Sequence, residues 1–237
     1  MGMLRNLFES NVKRLFGSAG LELSWRKSSL SPLVYHRIDL LFDVGANIGQ
    51  YAQRARQEGY TKRIVSIEPS SEAHAILRRS AQSDPLWTVH ERCALGAAMG
   101  ERTLNISGNS QSSSLLDMLP AHVTAASSSV YVGQEQTPIV TLDSLIGRYR
   151  TANERVFVKI DTQGFEREVL DGAKSSLADI SGVQVELSLV PLYESQELYD
   201  YFLRRLEAQG FRLWSVIPGF SSPTTGQLLQ MDAIMLR

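Results

Sequence analysis

The stretch "LFDVGANIGQY", Leu41 to Tyr51, decides the fold. An apolar run enters an acid, Asp43; Gly45, Asn47 and Gly49 follow, and a polar segment of helical character begins. That order reads as a buried strand, a glycine turn and a helix start. Glycine lets backbone approach a ligand closely, and the amides that open the helix point at whatever sits there.

Outward from this turn, short apolar runs alternate with helical segments, the mark of an α/β domain with a mostly parallel sheet. "RIVSIEPS" is a second strand ending at Glu68, followed by a helix through "SEAHAILRRSAQ". "WTVHERCALG" and "ERTLNIS" read as two strands joined by a Gly-containing turn, and "TPIVTLDSLIGRY" as a short strand and a helix. The strongest late element, "VFVKIDTQGFEREVLDGA", is a buried strand running into Asp161, a turn at Gly164 and a helix. "VQVELSLVPLYE" is the next strand and "ESQELYDYFLRRLEAQG" the next helix. "FRLWSVIPG" and "LQMDAIMLR" close the chain as an antiparallel pair at one sheet edge. Residues 108–136 are Ser-rich and read as a long loop, which inside a compact domain is functional or mobile.

At 237 residues and 43% hydrophobic content, one substantial core is expected, as a domain over residues 37–237 with an N-terminal helical appendage over 1–36. The formal charge of -1 supplies no basic excess for a nucleic acid backbone. Cys93 is the only cysteine, which excludes an intramolecular disulfide and a cysteine-based zinc cluster and fits a reducing cytoplasm. No apolar run reaches the roughly 18 residues of a membrane span, and no signal peptide pattern is present. In the opening segment Leu4, Leu7, Phe8, Val12, Leu15 and Phe16 share one helical stripe, suited to packing over the domain or to peripheral membrane contact.

The ligand of the first turn is narrowed by what the turn lacks. The nicotinamide fingerprint G-x-G-x-x-G has no register in "DVGANIGQY", and no Gly-Lys-Ser/Thr phosphate loop follows. Glu68, at the end of the next strand, is placed to accept hydrogen bonds from both hydroxyls of a ribose. A nucleoside without a pyrophosphate fits, and S-adenosylmethionine is one.

"DVGANIG" resembles the acid-x-Gly-x-Gly-x-Gly motif of class I methyltransferases, with Asn47 at the middle glycine. "KIDTQGFE" closely resembles the "KIDVEGFE" element of the FkbM-type methyltransferase family, and "SIEPS", "CALG" and "SGNSQSSSLL" are similar to that family's stretches, in its order. The resemblance covers roughly residues 40 to 190. It implies a Rossmann-like class I fold with a mostly parallel seven-stranded sheet flanked by helices. It also implies S-adenosyl-L-methionine as cofactor and a small-molecule or glycolipid acceptor. Asp43, Gly45, Asn47 and Gly49 would form the cofactor turn, the glycines admitting the methionine part; Glu68 would hold the ribose, and Cys93 and Ala94 would border the adenine. Thr162 and Gln163 depart from the family, where Val-Glu is usual, so a carboxylate is lost from that turn.

For the chemistry, Asp161 and Glu186 end neighbouring strands and face the expected acceptor, either as proton acceptors or as ligands of a Mg2+ ion. Glu166 reads as a further acid there or as a first-turn helix acid. Of four histidines, only His122 falls in the Ser-rich segment expected to cover the acceptor, which makes it the alternative base. Lys159 lies two before Asp161, so strand alternation puts both on one face. Two rivals stand beside an O-methyltransferase: a nicotinamide oxidoreductase, and a noncatalytic glycolipid or membrane-surface module.

Overall fold

A computed structural model describes residues 31–237. The amphipathic stripe between Leu4 and Phe16 lies outside the described residues. The unit that contains the expected domain runs Ser31–Arg237. It begins before residue 37, because Leu33 in the short helix α1 (Pro32–Tyr35) is buried in a cluster with Ile38, Leu41 and Ile64.

Ten strands and six further helices follow. In chain order they are β1 (Leu40–Val44), α2 (Gln50–Gln57), β2 (Arg63–Ile67), α3 (Ser71–Ala81), β3 (Trp87–Val89), β4 (Ala94–Leu95), β5 (Gly100–Ser107), α4 (Pro120–Ala125), β6 (Tyr131–Val140), α5 (Leu142–Tyr149), β7 (Val156–Ile160), α6 (Glu166–Asp171), β8 (Ile180–Ser188), α7 (Tyr199–Ala208), β9 (Arg212–Pro218) and β10 (Gln230–Leu236). Seven strands form one sheet in the order β3-β2-β1-β7-β8-β10-β9. All are parallel except β10, which runs against both of its neighbours, β8 and β9. This is the class I methyltransferase architecture, with the antiparallel pair at the C-terminal edge. The order reverses between β1 and β7, and beyond the carboxyl ends of those two strands an open sheet forms its ligand crevice.

The two faces of the sheet differ, and the difference creates the site. On one face Phe42, Val44, Val65, Ile67, Val158, Ile160, Val183 and Val185 make a dry layer under Leu145 of α5, Val169 of α6 and Phe202 of α7. On the other, Leu41, Ile64, Phe157 and Ile234 pack beneath Ala52 and Ala55 of α2. One pleat further towards the carboxyl ends, this second face turns polar. Ser66, Asp43, Lys159 and Gln184 stand in register across β2, β1, β7 and β8, and Asp232 of β10 lies opposite Glu186. Side chains alternate with period two, so a one-residue slip of β1 would drive Asp43 into the dry layer. Each large apolar side chain there is worth about 1.5–3 kcal/mol of burial, which holds the register.

Two expectations need correction. "WTVHERCALG" is not one strand: β3 belongs to the main sheet, whereas β4 joins a separate three-stranded sheet in the order β4-β6-β5. The Ser-rich segment is not loop throughout, since it contains α4 and much of β6, which pairs antiparallel with β5 from Gly100 to Ser107. Half of β6 is exposed, and its polar "GQEQT" carries no hydrophobic alternation by which a strand could be recognised. No helix among the described residues is long and apolar enough to cross a membrane.

Candidate active site

A cleft of about 370 Å³ opens at the switch point between β1 and β7. Gly45, Asn47 and Glu68 line one part of it and Lys159, Asp161 and Glu186 another, with Cys93 and Ala94 beside the first group. Asp43 does not reach the lining.

The glycines of the first turn answer to the protein's own packing. A Cβ on Gly45, at φ +73°, would lie 1.8 Å from the Asp161 carbonyl oxygen, so the turns after β1 and β7 touch only because this side chain is missing. A Cβ on Gly49, at φ +97°, would meet the Trp87 ring at 2.8 Å. Asn47 takes the left-handed conformation, φ +48°, which asparagine tolerates better than most residues. Its amide donates to Glu68 Oε2 at 2.7 Å, and Glu68 Oε1 accepts from the Ser70 amide at 2.8 Å. Glu68 therefore clamps the turn after β1 to the start of α3. Burial pushes its carboxyl up to about 7, against the two amides that favour the charge. Asn47 lines the cleft, and its Oδ1 is buried without a hydrogen-bond partner.

Asp43 lies under the floor, fully buried, with Oδ2 3.4 Å from Ser66 Oγ and Oδ1 4.0 Å from Lys159 Nζ. Burial, only partly offset by Lys159, pushes its carboxyl up to about 6. Lys159 is itself 6% exposed and donates to Asp161 Oδ2 at 2.9 Å, as strand alternation predicts. Burial alone would disfavour the ammonium, but Asp161 and Asp43 more than compensate and hold Lys159 above its ordinary range. Burial would also raise Asp161, yet Lys159 and the Gln163 amide keep it below the usual carboxylate range. Glu186 moves the other way: burial first, then the Asp161 charge, raise it well above that range. The surroundings thus favour the anion at Asp161 and the neutral acid at Glu186.

Gln163 organises this pair. Its Nε2 donates to Asp161 Oδ1 at 2.8 Å and to Glu186 Oε2 at 2.6 Å, while Oε1 accepts from the Tyr193 hydroxyl at 2.7 Å. Its backbone carbonyl accepts from Ser114 Oγ at 2.7 Å, which ties the Ser-rich segment to the turn. Glu166 serves the turn as well: Oε1 accepts from the amides of Thr162 and Gly164 at 2.9 and 3.1 Å, and burial pushes its carboxyl up to about 7.

Cys93 is buried at the cleft edge, and burial pushes its thiol up to about 12, so it acts as a small apolar wall. None of the four histidines lines the cleft. His122, expected in a covering loop, is instead buried on α4, 5.2 Å from the Tyr193 ring centroid and 5.4 Å from that of Phe220. Burial lowers its pKa, and its aromatic surroundings remove it from the candidate bases. Sequence reading missed Tyr51, Gln184 and Asp232, which line the far side of the cleft. Tyr51 donates to Gln184 Oε1 at 2.8 Å. Asp232 carried a usable signal, a single acid inside an otherwise apolar strand, as in "LFDV".

The Mg2+ expectation meets an obstacle in these bonds. Asp161 accepts at both oxygens and Glu186 Oε2 accepts twice, from Gln163 and from Gln230 Nε2 at 2.8 Å. A cation at the pair would face N–H donors and the Lys159 ammonium rather than converging lone pairs, so the residues present do not fit the ion. Among the described residues no group of three or more His, Cys, Asp or Glu side chains is placed to hold a metal.

Residues 43–213, well over half of the chain, match the methyltransferase FkbM domain. The chain belongs to the FkbM methyltransferase family. The match leaves the nicotinamide oxidoreductase and the noncatalytic module without support. No curated protein matches the chain. Solved structures similar to this FkbM domain include a TehB-like SAM-dependent methyltransferase from Corynebacterium glutamicum, at 10% identity and a TM-score of 0.40 over 97% of each chain. Another is the precorrin-6y C5,15-methyltransferase of Geobacter metallireducens, at 9% identity and 0.43, covering 91% of this chain and 93% of that one. A third is Aeropyrum pernix fibrillarin with natively bound S-adenosyl-L-methionine, at 9% and 0.46, covering 84% and 66%.

Proposed function

We propose that this FkbM-family chain is an S-adenosylmethionine-dependent O-methyltransferase whose acceptor is a hydroxyl of a sugar, glycolipid or other secondary metabolite. The observation that carries the reading is the meeting, in one cleft, of the Asn47–Glu68 turn with the Asp161–Glu186 pair, in which Asp161 accepts from Lys159 and Gln163. The bound nucleoside would supply a methyl group on an electrophilic sulfonium. Glu68, whose carboxylate lines the cleft, offers an acceptor for its ribose hydroxyls. Asp161 accepts a hydrogen bond from the acceptor hydroxyl and takes its proton as the new bond forms, because a neutral hydroxyl is a weak nucleophile. Lys159 keeps Asp161 ionised and in place. Tyr51, Gln184 and Asp232 supply further polar contacts of the kind a polyhydroxyl compound satisfies.

Calorimetry with S-adenosylhomocysteine tests the donor half. Glu68→Ala should weaken that binding by roughly 1–3 kcal/mol, since it removes both the ribose acceptor and the clamp on Asn47; an unchanged affinity would refute the assignment. The carboxylate accepts better than the acid, and Glu68 titrates near 7. Affinity of the unaltered chain should therefore rise from about pH 6 to about pH 8, a trend that Glu68→Ala should flatten. The acceptor half is tested by mass spectrometry of metabolites from cells with and without the gene. A compound heavier by one methylene only where the gene is present is the expected result, and a methylated nitrogen or carbon in that compound would overturn O-methylation.

A further inference from the structure

The turn after β7 carries the departure from the usual family sequence, and its geometry says what the exchange does. A glutamate at position 163 would bring a third carboxylate against Asp161 and Glu186, and three acids in contact hold together only through a cation or through shared protons. Gln163 removes that charge and supplies donors. Its side-chain nitrogen has two hydrogens, and each is aimed at a different carboxylate, at 2.8 and 2.6 Å. The Tyr193 hydroxyl, on the amide oxygen at 2.7 Å, holds the amide in that orientation. Backbone reinforces it, for Gln163 sits at φ +53° with its carbonyl tied to Ser114. Lys159 on Asp161 and Gln230 on Glu186 complete a ring of nitrogen donors around the two acids.

We propose that Gln163 stands where a divalent cation would otherwise sit, so that the Asp161–Glu186 pair is held for reaction by an amide and the chain binds no metal there. Gln163 is a positioning residue: it acts through Asp161 and Glu186. A magnesium ion entering the pair would have to displace both hydrogen bonds donated by the Gln163 amide and sit close to the Lys159 ammonium.

The test reads cation binding, which is separate from the methyl-transfer reading, and binding of S-adenosylhomocysteine decides that reading independently. The full chain, stripped with EDTA, is titrated calorimetrically with Mg2+ and with Mn2+, and its melting temperature is recorded with and without each ion. The unaltered chain should show no saturable binding and the same melting temperature under both conditions. Gln163→Glu should gain a saturable site at least ~10-fold tighter than any binding by the parent, with melting raised by about 3 °C in the presence of the ion. Adding Asp161→Asn to that variant should remove the site again. A merely structural role for Gln163 predicts loss of stability in Gln163→Glu without a new cation site, and that outcome overturns the proposal. So does saturable Mg2+ binding by the unaltered chain that Asp161→Asn or Glu186→Gln abolishes. Should Gln163→Glu fail to fold, this titration of the unaltered chain still decides.

Discussion

Asp161→Asn should lower turnover by at least ~100-fold while leaving affinity for S-adenosylhomocysteine within about threefold. Lys159 at 2.9 Å and Gln163 at 2.8 Å favour the ionised Asp161 carboxylate, while burial and the Asp161 charge favour the neutral form of Glu186. Of the two acids, Asp161 is therefore the better placed to take a proton from an acceptor hydroxyl. Asparagine keeps one acceptor oxygen, which can serve Lys159 or Gln163 but not both, and it has no basicity to offer. The Asn47–Glu68 turn, where we propose the nucleoside binds, is bonded through other groups and should still bind it. Turnover is to be measured with the acceptor that the metabolite comparison identifies. An active variant would remove Asp161 as the proton acceptor, and an equal loss in nucleoside affinity would make its role one of binding.

Lys159→Met should destabilise the domain by roughly 3–5 kcal/mol at about pH 8, the usual consequence of leaving a buried charge without its partner. The charge left behind is Asp43, fully buried, whose cationic neighbour among the described residues is Lys159 at 4.0 Å. The loss should shrink at about pH 5, and the direction follows from linkage. Asp43 already stands at about 6 in the folded chain, above its ordinary value of 3.8. An acid raised by folding destabilises the fold when ionised; that cost is fully present above the folded value and is relieved as pH falls towards the ordinary one. Without Lys159 the folded value rises further, so more of the cost can be shed by protonation at pH 5. Asp161, held low by Lys159, contributes in the opposite sense: its stabilisation is present above the ordinary carboxylate value and is lost on acidification, and the variant has less of it to lose. Both effects make the variant lose less than the parent at low pH. Urea unfolding of the two proteins at each pH measures the difference, and equal losses at both values would show that Asp43 is not the stranded charge.

The distribution of what could be read in advance has a physical cause. "LFDVG", "RIVSIEP" and "VFVKID" are short apolar runs ending in acids, and because buried parallel strands admit little else, they announced the central sheet and the strand ends on which Asp43, Glu68 and Asp161 sit. The same logic failed for β6, paired with β5 along its length and with β4 only at its end and half exposed, whose polar residues follow no burial alternation. It failed differently for His122. Sequence placed it in a Ser-rich segment, but its surroundings come from Tyr193 and Phe220, far along the chain. Gln163 was visible only as a departure, a carboxylate lost. That its nitrogen joins two acids could not be seen, since one of them, Glu186, reaches it from another strand.

By itself, then, the sequence determined the architecture and the family, because strand periodicity, glycine spacing and contiguous motifs are local properties of a chain. Tertiary structure alone decided what those residues do to one another. Gly45 is glycine because the Asp161 carbonyl lies 1.8 Å from where its Cβ would be; Asp43 is a foundation beneath the cleft rather than a wall of it; and Lys159 separates the ionisation of three acids. Each of these depends on distances between strands brought together by a crossover, and Coulomb and contact energies depend on those distances, not on separation along the chain.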